Sequence, residues 1–319
     1  DVSGDGLDCD SMRSADLTGL AEIAPGDPEP EFVDVNGLGE TVVSLQENNH
    51  MVVVAADGSI VSHFSAGTVD LEGIDTVEEG ALVFDDAQPN RRREPDAVKW
   101  IDGAHFATAN VGDYEGGARG WTIFRKDGTI VHESGTSFEE ALIEIGHYPE
   151  ERSGNKGVEP ESIETATFDG TPMVFVGSER GSAVGVYDVT DPEAPVLAQL
   201  LPSGIGPEGY VALPSRNLLV SANEEDLRGD GGPAAHVMIF EYAEGAPSYP
   251  QLTSAGADDL IGWGAISGMV AGEDGLIYAV NDSFYAMQPT IFVIDPSERP
   301  ARIVDAIRVT RNGAPAQKL

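Results

Sequence analysis

Apolar residues in this chain alternate with polar ones in short runs instead of recurring every three or four positions. "VSLQENN" (Val43–Asn49), "FATANVGD" (Phe106–Asp113) and "WTIFRKDGTIV" (Trp121–Val131) show this pattern. It predicts strands, and the Val, Ile, Phe and Tyr content of the runs agrees. "ADGS" and "KDGT" place Asp-Gly between paired runs, a strong hairpin signal. Helical periodicity is nearly absent. The one good helix candidate is Thr136–Tyr148, with Thr136 or Ser137 as its N-cap.

The runs repeat as a unit. "EPEFVDV" (Glu29–Val35), "EPDAVKW" (Glu94–Trp100) and "EPESIET" (Glu159–Thr165) share one shape, and "GPEGYVAL" (Gly206–Leu213) and "ISGMVAG" (Ile266–Gly272) are looser copies. Their third residues are Glu31, Asp96, Glu161, Glu208 and Gly268, at intervals of 65, 65, 47 and 60. A second motif follows each copy and ends a strand in Asn, Glu or Asp. It contributes Asn48, Asn110, Glu179, Asn223 and Asn281, with neighbours Glu47, Asp113, Glu224 and Asp282. Four strands in about 45 residues is the rhythm of a propeller blade.

The reading is therefore an all-β chain, a β-propeller of four-stranded antiparallel blades with five units visible. Residues 1–253 are expected to hold blades with two long loop insertions, 69–93 and 134–157, on one face. Residues 254–319 form a further blade, with a module boundary near Ser254–Gly264. Ala15–Pro25 looks like the outer strand of a blade. Either it completes the last blade of a five-membered ring, or the chain is part of a larger propeller or of two modules.

Composition narrows the partners. Eighteen Lys and Arg face 55 Asp and Glu, for a net charge of −37. Phosphate backbones and anionic membranes attract clustered Lys and Arg, so nucleic-acid binding and membrane insertion are not expected. The single cysteine, Cys9, rules out an intrachain disulfide and a cysteine zinc site. No apolar run approaches a membrane span, and the opening "DVSGDGLDCD" is not a signal peptide: either a signal was removed or the chain is an excerpt.

The candidate chemistry is acidic. Inner-strand turns crowd at one end of a propeller channel, so Glu31, Asp96, Glu161 and Glu208 would form a carboxylate ring. Asn48, Asn110, Asp113, Glu179, Asn223, Glu224 and Asp282 would stand close behind it. An all-oxygen set suits Ca²⁺, whereas six His and one Cys suit zinc or copper poorly. The same carboxylates could instead accept backbone N–H groups of the next blade, a structural role that would also repeat once per blade. Asp1, Asp5 and Gly6 have EF-hand-like spacing, but Ser3 and Met12 depart from the pattern. Arg180, Arg119 and Lys156 adjoin the acidic turns and could cradle a phosphate, or pair with neighbouring carboxylates. There is no G-x-S-x-G, H-E-x-x-H or P-loop.

"EPEFVDV…VVSLQENN", "EPDAVKW…FATANVGD", "GVEPESIE…MVFVGSERGSAVGVYDVTDPEAPV" and "GPEGYVAL…LLVSANEED" resemble the bacterial exported propellers called choice-of-anchor I proteins. Some of these are described as alkaline-phosphatase-like. The resemblance spans about Pro28 to Glu241, and the stretch from Ile266 onward looks like the opening of the esterase-like activity of phytase family. Both resemblances imply a secreted or periplasmic bacterial propeller. Neither supplies an established catalytic set that maps onto these residues. The expected function is a Ca²⁺-dependent phosphatase- or phytase-like phosphoester hydrolase acting on a small phosphorylated substrate. The alternative is a non-catalytic propeller that binds an extracellular matrix or surface component and uses Ca²⁺ structurally.

Overall fold

The computed structural model describes residues 2–3, 6–7 and 9–316. It is a nearly all-β protein, as the alternation requires, and its blades are antiparallel sheets in sequence order. Blade one holds Pro30–Val35, Thr41–Leu45, His50–Val54 and Ile60–Ser65. Blade two holds Val98–Trp100, His105–Ala109, Trp121–Arg125 and Ile130–Glu133. Blade three holds Pro160–Phe168, Thr171–Ser178, Ala183–Asp188 and Val196–Pro202.

Blade four departs from the expected unit. It has three strands, Pro207–Leu213, Leu218–Asn223 and His236–Glu241, and no fourth. The next residues, "YAEGAPSYP", carry Gly245 at a φ of 151° together with two prolines, which lack a ladder donor. The chain runs on to the outer edge of blade five instead. There Leu252–Thr253 adds in parallel to Ala301–Arg308, outside the strands Ile266–Ala271, Ile277–Asn281 and Thr290–Asp295.

Blades one and two bury faces on each other, and so do blades three and four. Val42, Met51 and Val53 of blade one pack with Trp100, Phe106 and Phe124 of blade two. Phe175, Val184 and Val186 of blade three pack with Tyr210 and Leu219 of blade four. Ala15–Pro25 is not the expected outer strand: it runs through turns, and Ala15, Leu17 and Leu20 cover the outer face of blade one. Blade one already has its own fourth strand, Ile60–Ser65.

The two insertions are not surface loops. The first forms an antiparallel ribbon, Thr68–Ile74 with Asp86–Arg92. The second forms the expected helix, Ser137–Glu144. Thr136 is the N-cap residue but makes no capping bond; its hydroxyl donates to Glu140 instead, 2.7 Å away. Phe138, Ala141, Leu142 and Ile143 of the helix enter the largest core cluster, with Trp121, Val174 and Tyr187. An apolar helix face needs such cover, and blades two and three supply it.

The helix C-terminus also anchors blade five. Ser254 N (2.8 Å), Thr253 Oγ1 (3.1 Å) and Trp263 Nε1 (3.0 Å) all donate to the Glu144 carbonyl. These donors satisfy a carbonyl that the helix itself leaves open. The stretch expected as a module boundary is thus tied into the core. Trp263 lies on this connection and not on a strand.

If the insertion is core, Phe138→Ala should destabilise the protein by about 3–5 kcal/mol in denaturant unfolding, the range for a buried aromatic truncation. A cost below about 1 kcal/mol would mean that the helix is only an ornament.

Candidate functional site

Four of the blades build their mouths in the same way. The residue before the inner strand is left-handed: Glu94 (φ 42°), Glu159 (47°), Gly206 (64°) and Ala265 (45°). Its carbonyl accepts an N–H from the second motif: Gly112 to Glu94 (3.1 Å), Glu179 to Glu159 (2.9 Å), Glu224 to Gly206 (2.9 Å) and Asp282 to Ala265 (2.8 Å). The inner strand then bulges. In blade three Pro160 pairs with Ser178 and Ser162 with Gly177, leaving Glu161 unpaired. In blade four Pro207 pairs with Asn223 and Gly209 with Ala222, leaving Glu208 unpaired. A bulge re-aims the extra residue, so these two carboxylates leave the sheet at the mouth.

Blade five follows the rule with a different residue. Ile266 pairs with Asn281 and Gly268 with Val280, so Ser267 occupies the bulge. The expected fifth position, Gly268, is therefore corrected to Ser267, and blade five brings no carboxylate from its inner strand.

Two carboxylate triads result, Glu159–Glu161–Glu179 and Glu179–Glu208–Glu224. Within each, oxygens lie within 4.8 Å of one another, and Glu179 belongs to both. Burial pushes the Glu161 carboxyl up to about 8, and repulsion from Glu179, Glu208 and Asp96 adds to it. Glu179 rises to about 7 through burial, with Arg180 opposing and Glu159 and Glu208 adding. Asp96 rises to about 7 through burial and the charges of Glu31 and Glu208. Glu208 is raised by burial and by Glu224. Like charges this close favour the protonated form or a bound cation.

The first and third residues of the E-P-x turns of blades two and three have different tasks. Glu94, fully buried, accepts N–H bonds from Asp113 (3.1 Å), Tyr114 (2.8 Å) and Glu115 (2.9 Å) and so fixes the blade-two loop. Glu159, also buried, accepts from Arg152 Nε (2.7 Å) and Arg180 Nε (3.1 Å). The third residues face the mouth.

The cations are already engaged. Arg180 Nη2 lies 2.8 Å from Glu179, and Nη1 lies 3.7 Å from Glu225, with the side chain 35% exposed. Lys156 Nζ is 3.6 Å from Asp113, and its charge favours ionised Asp96 and Glu161. Arg119 does not belong to the site, which corrects its expected substrate role. It is wholly buried, pairs with Glu139 (3.1 Å), and donates to the Ser153 carbonyl (2.7 Å). Its sequence position beside the acidic turns gave no sign of this, because Glu139 lies in the inserted helix.

The asparagines hold the backbone. Asn48 accepts from Glu29 N (2.9 Å) and donates to Ile23 O (2.9 Å) and Asp27 O (3.1 Å). Asn110 bonds the hydroxyls of Thr108 (2.9 Å) and Thr122 (2.8 Å). Asn223 accepts from Ser203 Oγ (2.7 Å) and donates to His236 O (3.1 Å). Asp282 receives Ser283 N (2.5 Å) at a short helical turn and stands outside both triads. Asp113 and Glu31 touch the site by charge alone, as repulsive neighbours of Asp96. Asp1 and Asp5 lie outside the described residues. Arg152 and Glu225 escaped sequence reasoning: Arg152 lies in the insertion, and Glu225 is one place beyond the repeat.

Removing Arg119's ion-pair partner should be costly. Glu139→Gln should lower stability by about 3–5 kcal/mol, as breaking a buried pair does, and denaturant unfolding of the variant measures the loss.

Comparison with known proteins yields one family match and distant structural likenesses. No curated protein matches the chain. Virginiamycin B lyase from Staphylococcus aureus aligns at 10% identity and a TM-score of 0.36, over 92% of this chain and 74% of its own. Pseudomonas aeruginosa periplasmic gluconolactonase aligns at 14% identity and 0.37, over 89% and 73%. A protein of unknown function from Bacteroides caccae aligns at 9% and 0.42, over 68% and 65%. Residues 114–192, from the blade-two loop through the third strand of blade three and the turn beyond it, match the Choice-of-anchor I domain.

Proposed function

We propose that the mouth of blades three and four is a calcium site and that the protein works as a Ca²⁺-dependent propeller outside the bacterial cytoplasm. The observation that carries the metal reading is the convergence of two carboxylate triads on the shared Glu179. The donor set fits: every ligand offered is a carboxylate oxygen, and among the described residues neither His nor Cys joins either triad. Glu161, Glu179 and Glu208 would hold the ion first, with Glu159 and Glu224 completing the two sides. The Choice-of-anchor I match and the lack, among the described residues, of a helix long and apolar enough to cross a membrane both accord with a secreted or periplasmic place.

Arg180 favours phosphoester hydrolysis as the activity. A bound cation supplies charge neutralisation and Lewis acidity there. What this chain contributes is the release of Arg180. Its guanidinium is held by Glu159, Glu179 and Glu225, and competition for Glu159 and Glu179 would free its N–H groups for a phosphate oxygen. Lys156, whose charge acts on Glu161, adds a second positive charge. The rival, a calcium-stiffened binding module for a matrix or surface component, needs neither cation to move.

The raised carboxylates set the sign of the pH dependence. Their folded pKa values lie above the ordinary carboxylate value, so the stability they confer is full near pH 4 and is lost as pH rises toward 8. With chelator present, the melting midpoint should therefore fall from pH 5 to pH 8, and Glu161→Gln should recover roughly 1–2 kcal/mol at pH 8 after solvent screening is allowed for. Saturating Ca²⁺ should raise the pH 8 midpoint by about 5 °C or more. Glu179→Gln should remove that rise. An unchanged midpoint with and without Ca²⁺ would end the metal reading. A phosphomonoester assay separates the two functions: turnover with Ca²⁺ that is lost on chelation and in Arg180→Ala supports the hydrolase. Calcium binding without turnover supports the scaffold.

A further inference from the structure

Among the described residues, blade four is the one blade without a fourth strand. Its outermost strand, His236–Glu241, pairs on one side only, with Leu218–Asn223. Phe240 packs toward blade three, while Val237 and Ile239 on the other face are 59% and 66% exposed. Open strand edges are usually blunted by Lys, Pro or a bulge. "HVMIFE" has no Lys or Pro, and its pairing runs without a register shift. The segment that would return to cover it, residues 242–251, is instead drawn off to blade five, and residues 242–248 are exposed.

We infer that this edge accepts an extended segment from a partner as the fourth strand of blade four, and that the segment is apolar at alternate central positions and basic at its ends. Strand addition supplies main-chain hydrogen bonds, and alternate side chains supply selectivity. The apolar positions would lie beside Val237 and Ile239. The basic requirement follows from charge. Glu241 and Glu244 flank one end of the strand, where Arg216 is the adjoining base, and Asp230 precedes the other, where Arg228 is paired with Asp226. The whole chain carries −37. A second copy, equally acidic, is the wrong partner on that count.

Acidic proteins bind basic peptides loosely in any case, so the test must separate strand pairing from charge. A labelled peptide with Val at alternate central positions, Thr between them and Lys at both ends is titrated into the intact protein at 150 mM salt and followed by fluorescence anisotropy. A second peptide has the same sequence but is N-methylated at alternate residues, which keeps its charge and removes its donors. The expected result is about tenfold weaker binding of the methylated peptide, and a similar loss for the plain peptide with Ile239→Lys, a change at an exposed site. Hydrogen exchange should show new protection at alternate amides of 236–241. Equal binding of both peptides, or no new protection, overturns the inference. Sedimentation of the protein alone, with a dimer abolished by Ile239→Lys, would overturn it in favour of a second copy.

Discussion

The mouth of this propeller depends on one backbone arrangement. In blades two to five a left-handed residue ahead of the inner strand turns its carbonyl toward the N–H of the second motif. The bond fixes two loops against each other, and the bulge that follows frees one side chain from the sheet. Where that side chain is glutamate, in blades three and four, it meets the acidic end of the second motif. Where it is Ser267, in blade five, it does not. The repeat is thus a device for aiming one residue per blade, and residue identity decides what is aimed.

Left-handed φ values are costly for side chains other than Gly and Asn. Glu94 and Glu159 take them because their carboxylates are fully used, one by three backbone N–H groups and the other by two arginines. Gly206 reaches the same conformation without such help, as glycine does. These anchors keep the remaining carboxylates close despite their repulsion. Burial raises the carboxyls of Glu161, Glu179 and Asp96, and the repulsion that is left adds to it.

The inserted helix serves the same mouth from below. Its apolar face fills the space beside blades two and three, and its last carbonyl gathers donors from the approach to blade five. Arg152 and Lys156, the positive charges nearest Glu159 and Glu161, come from the chain that leaves this helix. Site and insertion are one unit. Loosening the helix would move the cations as well as the core.

Strand alternation, Asp-Gly turns and the repeated E-P-x phrase are local patterns, so the all-β class, the blade repeat and the acidic character of the mouth were legible in the sequence. The helix was legible too, from its period and its Thr136 start. Three matters needed the tertiary structure. Bulge register decided that Ser267, and not Gly268, stands in the fifth position, because a one-residue slip is invisible in a loose copy of a motif. Long-range pairing decided that Arg119 is core, since Glu139 finds it only once the helix is packed. Chain routing decided that blade four stops at three strands, because the segment after Glu241 serves blade five. Sequence fixes what each stretch can form; which stretches meet is settled by which faces must be buried together.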